Sequence, residues 1–182
     1  ADAEPTTPET PPIPETWSPV PTRADERSAY GLFLAGRNAM SSGEGREGAR
    51  LLGEALALTP EQPRLREQAF SALLLGGDLD LAGEIAPGGP GVSPTFSEAG
   101  KLVRAVQAYA RGDARQGLSR LTSDPVGQPH ALAAFYVLPW IAAEAGDWNY
   151  ALLDAQGLRG PAGWVLRGNR ALLLEHRRRY DD

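Results

Sequence analysis

The sequence predicts an all-α fold, an α-solenoid of antiparallel helix hairpins comprising about four repeats and a terminal helix. Three observations predict it. From Ser28 onward the apolar residues recur at helical spacing. Gly-acid dipeptides punctuate them at Gly43-Glu44, Gly77-Asp78, Gly112-Asp113 and Gly146-Asp147, with separations of 34, 35 and 34 residues. No β-rich alternating stretch occurs anywhere. A glycine free to take positive φ ends one helix, and the acid just after it suits the next N-terminus.

Taken in order, the elements are these. Helix 25–42 runs up to the turn at Gly43, and helix 45–58 follows it with Leu51, Leu52, Ala55 and Leu58 on one face. Helix 62–76 stops at Gly77. Its partner, 79–86, must be short because Pro87-Gly88-Gly89-Pro90-Gly91 interrupts it. Helix 95–111 ends at Gly112, and helix 114–122 at Asp124-Pro125. Helix 130–145 carries Pro139 mid-way, where a lost backbone bond predicts a kink. Helices 148–157 and 162–180 complete the chain. The last one holds Trp164, Leu166, Leu172, Leu173 and Leu174, which a following helix would normally cover. Either Arg167, Arg170 and Arg177–Arg179 solubilise it as a cap or the natural chain continues past Asp182, the second being favoured.

On these residues the sequence resembles the tetratricopeptide repeat family. The first unit carries the likeness most clearly: Gly36 is the small residue of its first helix, Gly43 the turn, Ala55 the small residue of its second helix, and Pro60 the terminating proline. Leu32, Leu52 and Leu58 take the large apolar positions, while Gly48 stands where the family prefers Ala. The second unit keeps Leu73, Gly77, Asp78 and Ala82; the third keeps Gly112, Asp113 and Leu121; the fourth keeps Phe135, Leu138, Gly146, Asp147 and Ala151. The likeness extends over residues 28–180.

Charge divides the chain in two. Residues 1–26 contain six acids against Arg23, a net of −5, and hold seven of the sixteen prolines. Such a segment has little apolar surface to bury, so 1–26 is expected to be a disordered, partly polyproline-II leader in which Trp17 alone suits docking. Residues 27–182 balance at seventeen acids and seventeen bases. A neutral body argues against nucleic acid as a partner. One lysine against seventeen arginines fits a GC-rich bacterial genome. The opening Ala-Asp-Ala-Glu-Pro suits a mature exported protein, which favours periplasm or envelope over cytoplasm. The longest apolar run, Ala131–Ala143, has thirteen residues and is too short to span a bilayer.

Candidates for chemistry are few. There is no cysteine, so disulfides, thiolate metal sites and thiol nucleophiles are excluded. The only histidines are His130 and His176. Gly43-Glu44-Gly45-Arg46-Glu47-Gly48 matches G-x-G-x-x-G, but a dinucleotide loop needs a preceding strand and a helix precedes this one. Gly100-Lys101 lacks the first glycine and the Ser/Thr of a phosphate loop. Asp80 and Glu84 share a helix face, as paired carboxylates could, yet no other catalytic group accompanies them. No catalytic residue, cofactor or metal is expected.

The family resemblance implies that the first helix of each hairpin lines a concave groove that takes a peptide or partner segment. Carried over, the partner-binding residues are Tyr30, Phe33, Arg37, Arg64, Tyr109, Tyr136, Trp140, Arg167 and Arg170. Aromatic and arginine side chains dominate binding energy at interfaces. Met40, Glu67, Ser71 and Glu144 flank them, whereas Leu74, Leu102 and Val106 serve equally as packing between hairpins. A clamp for a terminal carboxylate is absent, because Arg37 and Ser71 stand where Asn is needed. The expectation is therefore a non-enzymatic interaction scaffold or adaptor, with self-docking of residues 1–26 in the groove as an added possibility. Two alternatives stay open: the targeting half of an enzyme whose catalytic part lies beyond residue 182, and a periplasmic envelope assembly factor.

Overall fold

The computed structural model describes residues 28–152 and 160–180. The acidic leader with Trp17 lies outside the described residues, as do residues 153–159, into which the expected helix 148–157 runs. Among the described residues there are nine helices and no strand: α1 (Ala29–Ser41), α2 (Gly45–Leu58), α3 (Pro63–Gly76), α4 (Leu79–Glu84), α5 (Pro94–Ala110), α6 (Ala114–Ser123), α7 (Ala131–Glu144), α8 (Trp148–Ala151) and α9 (Gly160–Tyr180).

One turn recurs four times and sets this order. Gly43, Gly77, Gly112 and Gly146 have φ of 81°, 79°, 86° and 82°, a region that only glycine enters freely. At each, the N–H of the following acid bonds the carbonyl five residues back: Glu44 to Ala39, Asp78 to Leu73, Asp113 to Ala108 and Asp147 to Ala142, all at 2.9 Å. The glycine N–H bonds the carbonyl three back, which completes a Schellman closure and satisfies carbonyls orphaned at the helix end. The acids then start the next helix. Asp78, Asp113 and Asp147 accept from the backbone N–H of Leu81, Gln116 and Tyr150. Glu44 makes no such side-chain cap.

Other boundaries have equally local causes. Ser28 caps α1 by accepting from the Gly31 N–H at 3.0 Å, so α1 begins at Ala29 rather than near residue 25. Ser93 caps α5, and Pro94 fills its first helical position, where no N–H is needed. Helix α4 ends at Glu84, two residues short of expectation. The chain there leaves the helix to lay Pro87 across α5, its carbonyl only 2.4 Å from where a Cβ on Gly100 would sit. Pro139 lies inside α7 without ending it.

From α1 to α8, each helix packs against the next in the chain, and α7 also contacts α5 and α9. Their closest approaches are at small residues. A Cβ on Gly36 would lie 2.8 Å from Leu52 Cγ, and one on Gly117 would lie 2.9 Å from the Ala105 carbonyl. Gly83 of α4 lies against the buried Gln107 of α5, whose Nε2 donates to the Asp80 carbonyl at 2.7 Å. The core is a row of three apolar clusters in chain order. Phe70, Leu52 and Leu73 centre the first, with Phe70 edge-on to Phe96 at 6.4 Å between ring centroids. Ala105, Leu121 and Ile141 form the second, and Ala142, Ala151 and Leu173 the third.

Candidate functional site

The third cluster opens into a cleft. Ile141 and Ala142 bury one side of α7, which turns Trp140, Ala143 and Glu144 toward its rim. Tyr109 reaches the cleft from the last turn of α5 while its ring packs on the second cluster. Trp148 is placed by the Asp147 cap as the first residue of α8. Leu173 anchors α9 in the core, so its neighbours Leu172, Glu175 and His176 line the outer wall. The cavity measures about 720 Å³, the size of pockets that hold a small ligand or a few side chains of a partner.

Two contacts hold the walls. Arg177 places its guanidinium 5.3 Å from the Trp148 ring centroid, a cation–π contact that steadies the ring. Asn169 of α9 donates to the Tyr136 carbonyl at 3.2 Å. That bond falls one residue beyond the Phe135 carbonyl, which Pro139, lacking an N–H, cannot bond within the helix. The proline thus lies next to the point where α9 docks on α7. The cleft's floor is aromatic and aliphatic, and the polar side chains on its rim are Glu144, Glu175 and His176.

Of the nine candidates expected from the sequence, this cleft brings together Tyr109 and Trp140. Tyr136 is half-buried on the same helix and meets α9 through its carbonyl. Arg170 points away, donating to the Leu152 carbonyl at 2.8 Å, and Arg167 is exposed on α9. Tyr30, 68% exposed, and Phe33, packed against the first cluster, lie on α1, with Arg37 stacked 5.9 Å over the Phe33 ring. Arg64 is exposed at the start of α3. The cleft also recruits Trp148, Leu172, Glu175 and His176, which were not among the expected residues. Trp148 carried a usable signal, since it directly follows a Gly-Asp turn.

A second cleft of about 580 Å³ lies where the turns of α2 to α5 converge, lined by Arg46, Leu73 and Gly77–Leu81. Its other charges are paired internally. Arg111 bonds Asp80 at 2.8 Å and Glu84 at 3.2 Å, so the two carboxylates that share a face of α4 form an ion-paired strut to α5. Arg50 pairs with Glu47 and Glu54 on α2. Gly43–Gly48 forms a helix-to-helix turn, in which Gly48 gives room to Met40, and Gly100-Lys101 lies within α5. His130 precedes α7 without capping it. No group of three His, Asp or Glu among the described residues could hold a metal ion. No helix among them is long and apolar enough to cross a membrane. Searches against protein-family models and against curated proteins find no match to the chain.

Proposed function

We propose that the chain is an array of tetratricopeptide-like hairpins that serves as a protein–protein interaction scaffold without catalytic activity. In this reading, an extended or helical segment of a partner docks in the cleft between α5, α7, α8 and α9. The observation that carries it is the convergence of Tyr109, Trp140, Trp148 and Leu172 on one cleft from four helices. Buried aromatic anchors are what protein interfaces use for affinity. The repeat reading is supported by four identical turns at the family's spacing and by glycines at the helix crossings. The rim favours a segment that is apolar with a positive charge, because the exposed Glu144 borders the aromatic floor.

Affinity capture with the intact chain, followed by variants tested on the captured partner, decides the matter. Leu172 is 54% exposed, so Leu172→Glu alters the cleft without opening the core. It should weaken binding by about 2 kcal/mol, roughly thirtyfold. Trp164→Ala removes an aromatic that is 66% exposed and does not line the cleft, and it should leave affinity unchanged. Equal affinity of the wild-type chain and Leu172→Glu would refute the assignment.

A further inference from the structure

Helix α9 restates the sequence pattern of α1. Residues 31–40 and 163–172 match at Gly31 and Gly163, Leu34 and Leu166, Gly36 and Gly168, and Ala39 and Ala171. The two helices bury opposite sides of that shared pattern. In α1, Leu32, Gly36 and Ala39 are buried, and Leu52 Cγ of α2 lies 2.8 Å from where a Cβ on Gly36 would sit. Their counterparts in α9, Trp164, Gly168 and Ala171, are exposed, and nothing lies within 4 Å of the Gly168 Cβ position. Conversely, Leu166, on one face with the core residue Leu173, is only 6% exposed, whereas its counterpart Leu34 is 47% exposed, one turn from the bare Tyr30. Each end helix therefore lacks the neighbour that the other has. Among the described residues, α9 has no helix on the side where α1 carries α2, and α1 has none on the side where α9 meets α7.

A second copy of the chain supplies both neighbours in one contact. We propose that copies associate head to tail, the Tyr30–Leu34 face of one chain's α1 seating on Trp164, Val165, Gly168 and Ala171 of the next chain's α9. Charge selects this pairing over the pairing of like ends. At the head, residues 1–27 carry six acids against two arginines and join the body at Ser28, the cap of α1. At the tail, residues 160–180 carry five arginines against one glutamate, and the net is still +2 with Asp181 and Asp182 counted. Arg167, exposed beside the Trp164 face, has no ion pair among the described residues. Head on tail brings acids to arginines, whereas α9 on α9 would crowd arginines and α1 on α1 would crowd acids. A contact between unlike faces builds open chains or rings. One helix laid on another falls in the weak class below about 1,200 Å², so the association depends on concentration.

Sedimentation equilibrium of the full chain tests this with one variant for each end. Tyr30→Lys/Leu34→Lys sets like charge against the arginine-rich tail, and Trp164→Glu sets it against the acidic head. All three positions are exposed, so both variants should keep the wild-type helical circular dichroism. The average mass of the wild type should climb with concentration to at least twice that of one chain, while each variant alone stays at one chain. An equimolar mixture of the two variants should reach two chains and no more, because one variant keeps only its tail and the other only its head. A wild type that stays at one chain, or a mixture of folded variants that does so, would overturn the proposal. So would self-association of the head variant alone, which places α9 on α9, or of the tail variant alone, which places α1 on α1.

Discussion

Glycine occupies two kinds of place in these helices, and one methyl group separates them. Gly53 lies inside α2 with nothing within 4 Å of the Cβ it lacks. Gly53→Ala should therefore raise stability by about 0.5–1 kcal/mol, since alanine restricts the unfolded chain and favours helix. At Gly117 the same methyl would stand 2.9 Å from the Ala105 carbonyl and 3.2 Å from Ile141 Cγ2. Backbone on one side and a fully buried side chain on the other cannot both give way, so Gly117→Ala should cost about 1–3 kcal/mol. Chemical denaturation of the two variants checks the pair. Opposite shifts are expected, and a stable Gly117→Ala would mean that α5 and α6 are not so closely packed. The capping acids divide in the same way. Glu44 shares the backbone conformation of Asp113 but makes no side-chain cap, its carboxylate being one methylene further out. Glu44→Asp should add about 0.5–1 kcal/mol, and Asp113→Ala should lose about 1 kcal/mol, both read as shifts in thermal midpoint.

Between elements, one carboxylate ties α5 to the chain after α6. Glu98 accepts from the Gly127 N–H at 2.5 Å and from Lys101 Nζ at 3.0 Å, and Lys101 also bonds Asp124 at 2.8 Å. The Gly127 bond first and the Lys101 ammonium second hold Glu98 below the usual carboxylate range. A group whose pKa is depressed by folding stabilises the folded state above its unfolded value, about 4.3. That contribution is lost as pH falls through the lower, folded value. Glu98→Gln should therefore lower stability at neutral pH and flatten its decline below about pH 4.3, as stability measured across acidic pH would show. An unchanged acid slope would mean that Glu98 is not held by these partners. The element boundaries themselves were legible in the sequence where their causes are local. The Gly-acid dipeptides and the proline-glycine run after α4 mark turns by their own chemistry, whereas the Ser28 cap was missed and α1 was expected from about residue 25. Tertiary causes were not legible: Pro87 lying on Gly100 shortens α4, and no pattern within residues 79–86 announces it.

For the whole molecule, three core clusters in chain order join neighbouring hairpins, and the last of them opens into the cleft. Tyr109 and Trp140 were both expected on the first helices of successive hairpins, and both lie at the cleft although they stand three and six residues before their turn glycines. Arg170 was misleading, because spacing alone does not disclose that its side chain turns back to the Leu152 carbonyl. Leu172 and His176 were hidden by register: the position of α9 depends on Leu173 entering the core and on Asn169 meeting α7. Hydrogen exchange on the full chain, with and without its captured partner, tests the docking claim most directly. Protection should rise together near Tyr109, over Trp140–Trp148 and over Leu172–His176, while α1 and α3 exchange as before. Protection confined to α1 and α3, with those three segments unchanged, would contradict the account.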